Sequence, residues 1–166
     1  MTWGWLAATA LLLGCTAPAP EMKPALELTG RVVDRANLID PAAEASLAGS
    51  LETLAAETGV QFVVATTPSL DGKEINEYSL DLARAWALGS KEHDDGILLL
   101  VAPNERKVRI EVSRGLENIM KDEICASIIR NDMIPAFKSK HMQEGILAGA
   151  QATVGILHNA LKRKAA

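Results

Sequence analysis

Aromatic residues are scarce in this chain: one Tyr, two Phe and three Trp among 166 residues. A core built from it is therefore aliphatic and alanine-rich, and the 48% hydrophobic content supplies enough material for one ordinary domain. Positive charge is short as well, with 17 Lys and Arg against 21 Asp and Glu and a net charge of −4. That balance excludes nucleic acid as a partner, because a nucleic-acid footprint needs a basic face. The one basic run, Lys162-Arg163-Lys164, reads as a solvated helix end, where cations suit the helix dipole. No apolar stretch reaches the roughly 20 residues that span a bilayer. The chain also lacks a Gly-x-Gly-x-x-Gly turn, a P-loop, a Cys-x-x-Cys pair and a Gly-x-Ser-x-Gly elbow.

Cysteine is nearly absent too, and both copies are informative. Leu11-Leu12-Leu13-Gly14-Cys15 closes a short apolar run that begins at Trp3, and it looks like a bacterial lipobox. In that motif a peptidase cuts before the cysteine, whose thiol already carries a diacylglycerol. The expected organisation is a lipoprotein signal peptide over residues 1–14, a lipidated Cys15 and Pro-rich linker over 15–29, one domain over 30–161 and a basic tail over 162–166. Pro18, Pro20 and Pro24 give the linker its turn-prone character. Met1-Thr2, ahead of the run, lacks the positive charge that signal peptides usually carry. The membrane, reached through the lipid anchor, is then the first partner, with envelope or membrane proteins the next. Thr16 rather than Asp after the cysteine points to the periplasmic face of the outer membrane, or to the cell surface in a host with one membrane. With Cys15 lipidated, Cys125 has no disulfide partner. It sits between Ile124 and Ile128 in a helical pattern, as a small buried hydrophobe does.

Beyond the linker the pattern alternates helix and strand. Asp40-Pro41 reads as a cap and first helical residue, Leu47, Leu51, Leu54 and Thr58 form one helix face, and Gly59 ends it. Gln61 to Thr67 reads as a strand stopped by Pro68. A second helix follows the Asp71-Gly72 turn, its face made of Ile75, Tyr78, Leu82 and Trp86. Gly96 to Ala102 is a continuous apolar run, the mark of a central strand covered on both faces. After the turn at 103–106, Lys107 to Ser113 alternates strictly, with Val108, Ile110 and Val112 on one face. A helix beginning near Asp122 carries Ile124, Ile128 and Ile129 until Pro135 interrupts it. The last helix carries Ile146, Ala150, Val154, Leu157 and Leu161. This order predicts an α/β fold, a single-domain α/β/α sandwich with a small mixed sheet flanked by helices. The two strands around the second helix are expected to be parallel, joined by a right-handed crossover.

The hairpin places candidate chemistry. If Ala102 faces Lys107, then Gly96 faces Ser113, Asp95 lies near Arg114 and Asp94 near Gly115. His93-Asp94-Asp95-Gly96 thus meets Ser113-Arg114-Gly115-Leu116-Glu117 at one end of the sheet. Carboxylates from two loops there make an oxygen-rich site for Ca²⁺ or Mg²⁺. The same residues also read as a plain turn, with Arg114 neutralising a carboxylate. His93 reads more simply as a solvated loop histidine, and Arg109 and Glu111 as members of a cross-strand or same-face ion pair.

Five blocks in order carry a family resemblance: Gly30-Arg31-Val32-Val33-Asp34 with Leu38-Ile39; Gly59-Val60-Gln61-Phe62-Val63-Val64; Trp86-Ala87-Leu88-Gly89; Asp95-Gly96-Ile97-Leu98-Leu99-Leu100-Val101; and Arg109-Ile110-Glu111-Val112 with Gly115-Leu116-Glu117. They resemble the TPM domain family, from about Gly30 to Leu157. That family includes a plant thylakoid-lumen acid phosphatase and many bacterial secreted or membrane-anchored proteins without assigned activity. The resemblance implies an α/β/α sandwich with an acidic pocket for divalent cations. Its matching acids here are Asp34, Asp94, Asp95, Glu117 and Asp122. In the family's Gly-x-Gly-x-Glu segment, which Glu117 closes here, Ser113 stands in place of the first glycine and Arg114 where an aromatic is common, so a cation competes with any metal. Three functions follow as expectations: an accessory or binding lipoprotein of the cell envelope with a Ca²⁺ or Mg²⁺ pocket, a metal-assisted acid phosphatase, or a structural interaction module.

Overall fold

A computed structural model of the chain describes residues 25–165. Cys15, the apolar run before it and the proline-rich stretch as far as residue 24 lie outside the described residues. Among the described residues no helix is long and apolar enough to cross a membrane.

The first helix, α1 (Pro41–Thr58), starts where the sequence puts its cap: the Asp40 carboxylate accepts from the Ala43 N–H at 2.9 Å. The Gln143 side chain grips the same residue, accepting from the Asp40 N–H and donating to its carboxylate. These bonds, the Ala43 one first, hold the Asp40 carboxyl below its ordinary value. Gly59 closes the helix at φ 80°, a left-handed conformation in which a side chain is strained. Strand β2 (Gln61–Thr66), helix α2 (Ile75–Ala85), strand β3 (Gly96–Ala102) and strand β4 (Lys107–Val112) follow as expected. A three-residue strand before α1, Val32–Asp34, is here β1, and periodicity did not reveal it. Three residues are too few to show an alternation.

The sheet order is β1-β2-β3-β4, with β1, β2 and β3 parallel and β4 antiparallel to β3. Phe62, Val64, Ile97, Leu99 and Val101 point into one core, against α1 and the C-terminal helices. Val33, Val63, Ala65, Leu98 and Leu100 point into the other, against Tyr78, Leu82 and Trp86 of the α2 segment. All seven residues of β3 are buried, as a strand with both faces covered requires. The steps from β1 to β2 and from β2 to β3 run the same way across the sheet, yet α1 and α2 pack on opposite faces. Two such crossovers have opposite hands, so the right-handed preference holds for only one of them.

The C-terminal layer departs from expectation at two points. Pro135 does not interrupt its helix: α3 (Asp122–Ile128) passes through a π turn (Ile129–Met133) into α4 (Ile134–Lys138). The wider turn, in which the Ile134 N–H reaches the Ile129 carbonyl, leads directly into the proline that has no N–H to donate. The long helix α5 (Met142–Ala165) buries Ile146, Ala150 and Leu157, but Thr153 rather than Val154 completes the stripe. Its hydroxyl is satisfied by the Gly149 carbonyl at 2.8 Å. Ordered structure also reaches back past Gly30, because Leu26 is buried and its carbonyl accepts from the Trp86 indole N–H at 2.9 Å.

Candidate functional site

The β3–β4 hairpin has the register the sequence implies: Ala102 faces Lys107 and Ile97 faces Val112. Pairing continues past the strands, with the Ser113 N–H on the Gly96 carbonyl and the Gly115 N–H on the Asp94 carbonyl, both 2.9 Å. At Gly115 a Cβ would overlap the His93 carbonyl oxygen, so the two loops approach too closely for any side chain there. Asp94 is left-handed at φ 51° and exposed. Arg114 stands 3.9 Å from it, the two side chains 89% and 52% exposed, a solvated pair worth little in stability.

Two clefts flank the C-terminal half of β4, the strand at the sheet's edge. One, about 360 Å³, lies towards α2 and is bordered by Arg84, Asp94, Glu111, Arg114 and Glu117. The other, about 390 Å³, is bordered by Arg109, Glu111, Glu117, Lys121, Asp122 and Glu123. Glu111 and Glu117 line both. The fold thus brings Asp94, Arg114, Glu117 and Glu111 to one cleft, with Asp122 and Arg109 next door. Glu111 is committed to packing: its carboxylate takes the Arg109 guanidinium at 2.8 Å and the buried Ser79 hydroxyl at 3.0 Å. That clasp ties β4 to α2.

Asp34 stands elsewhere. It registers with Thr66 and, through it, with Val101, at the carboxyl ends of the parallel strands. Asp95 precedes the opposite end of β3, six residues before Val101, so about 20 Å separates them along the sheet. One site formed by Asp34, Asp94 and Asp95 is therefore ruled out by topology. The Asp34 carboxylate instead pins its own loop, accepting from the Leu38 and Ile39 N–H groups at 3.1 and 2.8 Å and from the Thr66 hydroxyl. Asp95 is also occupied inward, accepting from the Ser90 N–H at 2.7 Å. His93 is exposed, and its ring lies 3.4 Å from the Ser90 hydroxyl. Among the described residues no three His, Cys, Asp or Glu side chains gather as a ready-made metal shell. What the hairpin end offers a cation is two exposed carboxylates, Asp94 and Glu117, beside a competing guanidinium.

A third cleft, about 420 Å³, opens at the carboxyl ends of β1 and β2 beside Asp34, Arg35, Asn37, Asp71 and Tyr78. Sequence reasoning read Asp71 and Tyr78 only as turn and helix-face residues and passed over Arg35 and Asn37. Their signal was indirect: open α/β sheets bind ligands at this end, and Asn37 and Asp71 are left-handed loop residues.

Cys125 is buried, with its thiol pushed up to about 11, first by loss of solvation and then by the Asp122 charge. A thiol held protonated in this way is a core residue, not a nucleophile.

A mixed four-stranded sheet between helical layers, with charged loops at the hairpin end, defines the class of this domain. The family model of the TPM domain matches residues 32–156, and the chain belongs to the TPM domain family. The solution NMR structure of the N-terminal domain of a protein from P. gingivalis is 34% identical, with 81% of this chain and 85% of that one covered and a TM-score of 0.73. Two further NMR structures share the fold. The BA42 protein of Bizionia argentinensis is 15% identical over 74% of this chain and 83% of its own, with a TM-score of 0.64. The N-terminal domain of the cg2496 protein of Corynebacterium glutamicum is 16% identical over 84% of each chain, with a TM-score of 0.60. No curated protein matches the chain.

Proposed function

We propose that this TPM domain is an accessory, binding protein of the bacterial cell envelope, lipid-anchored through Cys15, that draws Ca²⁺ or Mg²⁺ weakly to the cleft at the hairpin end. The observation that carries the reading is the hairpin register, which sets Asp94 against Gly115 and so puts Asp94 and Glu117 on one cleft. Hard carboxylate oxygens without a thiol or histidine cluster suit these two ions over zinc. Two exposed protein carboxylates leave most of the cation's ligands to water, the regime of weak extracellular sites, with dissociation constants of about 10⁻⁴ to 10⁻³ M. Phosphate-ester hydrolysis is the weaker reading, because the cleft offers no nucleophile paired with a base and Arg114 occupies its acidic side.

Thermal melts with calcium, magnesium and chelator test it. A cation at a hundred times its dissociation constant raises stability by about 2.7 kcal/mol. Asp94→Asn removes the upward shift, and Arg114→Ala enlarges it by removing the competing cation. An absence of any shift in the unmutated protein refutes the cation site. Metal-dependent turnover of p-nitrophenyl phosphate, lost in Asp94→Asn, would establish the hydrolase instead.

A further inference from the structure

At the opposite end of β3 from the acidic clefts lies a groove of about 650 Å³, between the β3–β4 turn and α4. Its walls are apolar: Val101, Val108, Ile134, Phe137 and Met142, of which all but Val101 remain only half-buried. Helix α4 has no fully buried residue, although it directly follows the π turn, a distortion that recurs at functional sites. The charged residues of the lining are all cations: Arg106, Lys107, Lys138 and Lys140. In a chain of net charge −4 this is a local reversal of sign. Glu74 holds the Lys107 ammonium at 2.8 Å, whereas no carboxylate among the described residues pairs with Arg106, Lys138 or Lys140. The neighbouring Glu105 is turned away, accepting from the Leu70 N–H at 2.9 Å.

We infer that this groove binds a long-chain carboxylate anion, a free fatty acid, with its tail along the apolar wall and its head among Arg106, Lys138 and Lys140. The volume lies within the range of small-ligand pockets, roughly 300–1,000 Å³. A hydrocarbon tail is favoured over an extended peptide because most of the lining's backbone groups are already engaged, those of Val108 on the outer edge of β4 excepted. Ala102 and Lys107 pair in the β ladder, Arg106 N–H donates to Pro103, and Lys140 N–H donates to Phe137. An extended peptide would find backbone partners only along the outer edge of β4, while a hydrocarbon chain needs none.

Calorimetric titration of the full chain with octanoate, decanoate and laurate, each below its micelle concentration, tests this. Affinity is expected to rise roughly threefold to fourfold per added methylene. Dodecanol should bind about tenfold more weakly than laurate, and the double variant Lys138→Glu, Lys140→Glu should lose about tenfold for laurate while keeping its affinity for dodecanol. Both lysines are exposed, so an unchanged melting temperature confirms that the variant folds. The proposal is overturned if laurate fails to bind at about 1 mM, if affinity is independent of chain length, or if the charge reversal leaves laurate binding unchanged. Displacement of bound laurate by an acidic apolar peptide at lower concentration would likewise assign the groove to a protein partner.

Discussion

Cys125 reports on its surroundings through one proton. Desolvation raises its thiol to about 11, and the nearby Asp122 charge adds to the shift. At pH 8 the folded protein should therefore react with a thiol reagent at least about tenfold more slowly than after unfolding, where the thiol titrates near 8.5. Because the folded value lies above the unfolded one, this group's contribution to stability is complete below about pH 8.5. It is lost as pH rises towards about 11. Cys125→Ala should cost about 1 kcal/mol, read from denaturant midpoints, and leave any cation response unchanged. The burial of Cys125 was legible because its isoleucine neighbours stand at helical spacing. Thr153 was not, since its hydroxyl is hidden by a bond to the Gly149 carbonyl that no hydropathy pattern carries.

At the scale of elements, the hairpin was the most readable part. A four-residue turn and a strict alternation leave one register, and that register alone joined Asp94 to the 113–117 loop. The place of Asp34 was unreadable for the converse reason: no local pattern says which strands lie parallel or which end of them a loop shares. Its work is local. Three donors converge on one carboxylate and hold the turn between β1 and α1. Asp34→Ala would strand the Leu38 and Ile39 N–H groups, and a loss of about 2–3 kcal/mol is expected. Chemical denaturation measures that loss, and calcium melts of the same variant should keep the shift of the unmutated protein. A loss of the shift with stability intact would return Asp34 to the cation site. The helix through Pro135 was misjudged because proline usually ends a helix, whereas a preceding π turn lets the chain pass it.

The described residues form two cores divided by one sheet, with a mixed-charge cleft where β3 begins and, where it ends, a groove whose charged lining is all cationic. Cys15→Ser should release the protein from the membrane fraction or leave it unprocessed, as read by fractionation and mass, and unchanged size and association would refute the anchor. The junction between the N-terminal segment and the domain has a mechanical side. Leu26 is buried, and its carbonyl is held by the Trp86 indole, so a pull on the chain from that side meets this clasp before it meets β1. Tension then enters through the end of α2 and the second core. The three-residue edge strand, whose few ladder bonds would yield first, is shielded from the load.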